Sequence, residues 1–153
     1  MTALGRPLSG DRYATGSLEQ RTHIRLDGAP LLLERLRWQA TDELLSAPWG
    51  LAGFDVLGAL YAYPCDTALL ARARELLGAA VPSIDEIDSA TANERSARAR
   101  QRRCGVTLLG NLLVIRCLER RPEALRTTFE ALWAELRHPV LGRKPSPPRI
   151  WKT

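Results

Sequence analysis

Ser17-Leu-Glu-Gln-Arg-Thr-His-Ile-Arg-Leu-Asp-Gly-Ala-Pro-Leu-Leu-Leu-Glu-Arg-Leu-Arg-Trp38 is the stretch that decides the fold class. From Ser17 to Asp27 it alternates. Leu18, Thr22, Ile24 and Leu26 fall on one side, and Glu19, Arg21, His23, Arg25 and Asp27 on the other, the period of a half-buried strand. Asp27-Gly28 suits the positive φ angles of a tight turn, and Leu31 to Trp38 runs back with apolar residues on both faces. The pattern predicts a β-hairpin.

Outward from the hairpin, Ser46-Ala47-Pro48-Trp49-Gly50 reads as a connection, and Phe54 to Tyr63 as a third strand ending at Pro64. Asp66 is placed to cap a helix from Thr67 to Leu77, with Leu69, Leu70, Ala73, Leu76 and Leu77 as its apolar stripe and Gly78 as its stop. Between Ala79 and Arg103 the periodicity fails, and the segment reads as a mobile insertion. Val106 to Leu109 and Leu112 to Leu118 flank Gly110-Asn111, a second hairpin signal. The second of these runs is apolar enough for the centre of a sheet. Pro122 opens a helix through Arg137 with Leu125, Phe129, Leu132, Trp133 and Leu136 on its buried side, and Pro139 closes it. A Pro-rich tail occupies 141–153. The expectation is a single α+β domain over 1–153, mainly β, with two amphipathic helices.

The 153 residues are 45% hydrophobic and 25% charged, an ordinary globular composition that excludes disorder, collagen and coiled coil. No apolar run approaches the length of a membrane span. Met1 to Pro7 lacks the apolar centre of a signal peptide, so the expected location is the cytoplasm. Cys65, Cys104 and Cys117 form no C-x-x-C and are expected there as thiols. The charge is uneven: net −4 over residues 1–93 and net +9 over 94–153.

Catalytic templates are missing from this sequence: there is no G-x-S-x-G, P-loop, G-x-G-x-x-G or H-E-x-x-H. His23 falls on the polar side of the first strand, and His138 at the end of the last helix, where a cation suits the dipole. With no local pair to nucleate a four-ligand site, neither a catalytic nor a metal site is assigned. Two other classes compete. Arg95 to Arg103 holds five arginines and suits nucleic-acid phosphates, although no aromatic is interleaved for stacking. Cys104 beside that run suits a thiol enzyme.

Several segments, in order, resemble the urease accessory protein UreD (UreH) family. They are Leu4-Gly5-Arg6-Pro7 with Ser9 to Tyr13, Arg25 to Leu36, Gly105 to Arg116, Trp133 with Leu136 to Pro139, and the ending Pro148-Arg149-Ile150-Trp151-Lys152-Thr153. The resemblance is to the family's C-terminal half: its G-G-V-V-G-G-D segment is absent, and Asp11 stands where the family more often has Glu. Met1 is accordingly read as an internal start or the start of a truncated or split gene. The resemblance implies a β-helix-like stack of strand layers with two helices. It also implies a non-enzymatic chaperone that holds apo-urease together with UreF and the GTPase UreG, with nickel in transit and no tightly bound cofactor. Arg6, Pro7, Arg149 and Trp151 are the candidate partner-binding residues, because Arg and Trp supply interface anchors.

Overall fold

The computed structural model describes residues 1–4, 13–78 and 102–146. They fall into two compact units, Ala3–Asp55 and Met1–Thr2 with Val56–Thr153. The class is the expected one, mainly β with two α-helices among the described residues.

The first unit is built on the predicted hairpin. Strands β2 (Ser17–Leu26) and β3 (Ala29–Gln39) pair antiparallel around Asp27 and Gly28, which take φ of 49° and 82°. The register slips between Ile24 and Arg25: Ile24 faces Leu32 and Arg25 faces Pro30, so Leu31 is an extra residue on β3. Pro30 has no N–H to give the ladder, and a bulge is where a strand accommodates that. The slip also corrects the expectation of a return strand apolar on both faces. Past Leu31, the less exposed positions are Leu32, Glu34, Leu36 and Trp38, while Leu33, Arg35 and Arg37 are exposed. A 3-10 turn at Glu43–Leu45 follows, and the Leu51 and Gly53 N–H groups donate to the Leu44 and Leu45 carbonyls, folding the connection onto itself.

The second unit holds a four-stranded sheet in the order β1 (Thr2–Ala3), β4 (Val56–Ala62), β6 (Leu112–Glu119), β5 (Arg102–Leu109). The apolar run Leu112–Glu119 is central, as its composition predicts, and is antiparallel to both β4 and β5. β5 begins at Arg102, so Arg102 and Arg103, read in the sequence as the end of the insertion, open a strand; the rest of that segment lies outside the described residues.

Helix α1 (Thr67–Gly78) starts where Asp66 accepts the Leu69 N–H on its side chain, at 2.9 Å, and the Leu70 N–H on its carbonyl. Helix α2 (Pro122–Leu141) runs one turn beyond the predicted end. Pro139 lies inside it. In the last turn a proline forfeits a single N–H bond, and Gly142 at φ 64° makes the actual stop, donating its N–H to the His138 carbonyl at 2.8 Å. Both helices bury their apolar stripes on the side of the sheet that carries Leu113, Ile115 and Cys117. With Val56, Ala73, Leu77, Leu125, Leu132 and Leu136 these form the core.

Candidate functional site

Where α2 crosses β4, Gly58 has no side chain to hold the helix away: a Cβ there would meet Phe129 Cε2 at 2.7 Å and Leu125 Cδ2 at 2.8 Å. The helix therefore seats close at its N-terminal half. Toward its C-terminal end a groove of about 280 Å³ opens between α2 and the end of β4, with Tyr63, Trp133, Arg137, Val140 and Leu141 among its lining. The Arg137 guanidinium lies over the Trp133 ring, 4.7 Å from its centroid. Among the described residues Arg137 Nε has no hydrogen-bond partner. Leu141 at the rim is 57% exposed. An apolar cleft with one cation at its wall is suited to an apolar side chain that carries or neighbours a carboxylate. Outside the groove, Arg72 on α1 reaches Glu135 of α2 at 3.3 Å and Glu75 of its own helix at 2.8 Å.

The other side chains singled out in the sequence are not brought together. Arg6, Pro7, Arg149 and Trp151 lie outside the described residues, as does the run from Arg95 to Arg100. His23 and His138 are both exposed, on β2 and in the last turn of α2. Among the described residues no three of His, Cys, Asp and Glu gather to hold a metal ion.

The expectation of three thiols is corrected. The Gly110-Asn111 turn sets Cys104 opposite Cys117, with Cα atoms 4.1 Å apart, and the two are joined as a disulfide. A bonded sulfur is not a nucleophile, which removes the basis for a thiol enzyme at Cys104. Cys65 is free and buried, and burial pushes its thiol above the usual range, with Asp66 adding to the effect. That is the behaviour of an inert core cysteine.

Two surface features were missed. Trp49, read only as part of a connection, is 72% exposed. The Trp133–Arg137 pair has the i,i+4 spacing that lets two side chains meet on one helix face, a signal that the apolar stripe alone conceals.

The sequence profile described as "UreD urease accessory protein" matches residues 1–152. The chain belongs to the UreD family of urease accessory proteins. It is 39% identical over 153 residues to the urease accessory protein UreD of Alkalilimnicola ehrlichii, covering 100% of this chain and 46% of that protein. The figures are 41% over 155 residues for the UreD of Azoarcus sp. (strain BH72), with 100% and 47% covered. For that of Pseudomonas aeruginosa PAO1 they are 38% over 154 residues, with 100% and 48% covered. The chain spans about half the length of the curated UreD relatives it matches. Among the described residues no helix is long and apolar enough to cross a membrane.

Proposed function

We propose that this chain serves urease maturation as a non-enzymatic scaffold for nickel insertion into apo-urease, acting beside UreF and UreG in the cytoplasm. The family match from residue 1 to residue 152 carries this reading. Nickel is then cargo rather than a resident cofactor. Arg6, Pro7, Arg149 and Trp151 remain the proposed partner contacts, and the Trp133–Arg137 groove joins them as a surface with an apolar wall and an available cation.

The test is urease activation in cells that carry a urease operon with its UreD gene deleted, grown with nickel. This chain is expected to restore activity and nickel content above the deletion background. Restoration by the Alkalilimnicola ehrlichii UreD but background values with this chain would reject the reading for this chain.

A further inference from the structure

The β2–β3 hairpin has two unlike faces, and the exposed one is strongly basic. Arg21 and Arg25 on β2 and Arg35 and Arg37 on β3 share it with Glu19, the one carboxylate among its strand residues. Arg21 and Arg35 are direct register partners, an opposition of like charges that weakens a ladder. Glu19 bridges them: one of its oxygens accepts Arg21 Nε and the other accepts Arg35 Nη2 at 2.8 Å. Arg35 and Arg21 together hold the Glu19 carboxyl below its ordinary value, so it stays charged near neutral pH. Both its oxygens are thereby engaged, although its own register partner is Arg37. Among the described residues no carboxylate pairs with Arg37 or Arg25; the latter reaches only the Gly28 carbonyl, at 3.4 Å.

The spacing of these cations selects a ligand shape. Alternate residues on each strand repeat at about 6.8 Å, which sets Arg35 and Arg37 one step apart on β3 and Arg21 and Arg25 two steps apart on β2, with His23 between them. An extended peptide has the same repeat. Leu33 lies opposite His23 in the middle of this face and is 58% exposed, an apolar contact amid the charges. We propose that this face docks an extended acidic peptide segment of a partner protein, with carboxylates at alternate positions meeting the four arginines and an apolar side chain covering Leu33. Arg suits this task because its planar fork grips a carboxylate through two N–H groups. Nucleic acid fits less well: the face offers no Phe, Tyr or Trp ring among the described residues for base stacking, and Glu19 repels a phosphate chain. The inference stands on the hairpin alone and does not depend on the nickel-insertion reading.

Fluorescence anisotropy with the whole 153-residue chain tests it. The probe is a fluorescein-labelled peptide of alternating Glu and Thr with one central Leu, and oligo-dT is the competitor. Binding is expected, with Arg35→Glu/Arg37→Glu weakening it by about tenfold or more and Arg35→Lys/Arg37→Lys retaining most of it. Glu19→Gln removes the internal competitor for Arg21 and Arg35 and is expected to tighten binding by about threefold, a gain that misfolding would not produce. Absence of peptide binding, indifference to both the charge reversal and Glu19→Gln, or tighter binding of oligo-dT than of the peptide would overturn the proposal.

Discussion

Leu125→Ala is expected to lower the unfolding free energy by about 3–5 kcal/mol, the upper part of the range for a fully buried leucine. Leu125 is 0% exposed and packs in the core shared by both helices and the sheet. Its neighbours have little room to relax. Gly58 contributes no side chain toward the vacated space, and Phe129, the other residue close to Gly58, sits one turn along the same helix. The cavity therefore persists rather than collapsing. Urea denaturation followed by far-UV circular dichroism checks the value. A loss below about 1 kcal/mol would mean that α2 does not seat on β4 as described.

The second large effect comes from the opposite side of the same contact. Gly58→Val introduces a branched side chain where even a Cβ would overlap Phe129 and Leu125, and is expected to cost about 3 kcal/mol or more. Gly58→Ala is milder, at about 1–3 kcal/mol, because the atoms it meets are the ends of side chains that yield partly. The two sites are coupled. In a Leu125→Ala background the alanine at 58 has a cavity to enter, so its cost is expected to shrink by about 1 kcal/mol or more in a double-mutant cycle. Strict additivity would contradict direct contact. Seating of α2 also positions Trp133 and Arg137, so the groove is expected to loosen in Gly58→Val before the sheet itself is lost.

Much of this architecture is legible in the residues, for reasons that differ by element. The first hairpin is read from period-two alternation and Asp27-Gly28, both local signals that the structure repeats. The bulge at Leu31 is less so, because its cause, Pro30, acts through a missing N–H on a partner strand rather than through hydrophobicity. Pro139 misled in the other direction: proline is a strong breaker in the middle of a helix and a weak one in its last turn, and Gly142 was the better terminator to read. The Cys104–Cys117 pair was within reach as well. A two-residue turn at Gly110-Asn111 fixes the register, and counting back from it sets the two cysteines face to face; a reducing compartment argues for thiols whatever the register. The groove could not be read, since it depends on where α2 overhangs the end of β4, a tertiary distance with no local signature. Family membership was legible from short ordered segments such as Arg25 to Leu36 and Gly105 to Arg116, which lie within the match over residues 1–152.

Capture of urease by this chain is the decisive measurement. The chain, tagged at one end, is co-expressed with the urease structural subunits and the tag eluate is quantified, with the Alkalilimnicola ehrlichii UreD as the parallel sample. Urease subunits are expected in the eluate of this chain, reduced when Trp133→Ala and Arg137→Glu are combined. Urease captured by the longer relative and absent from the eluate of a folded, soluble preparation of this chain would contradict it.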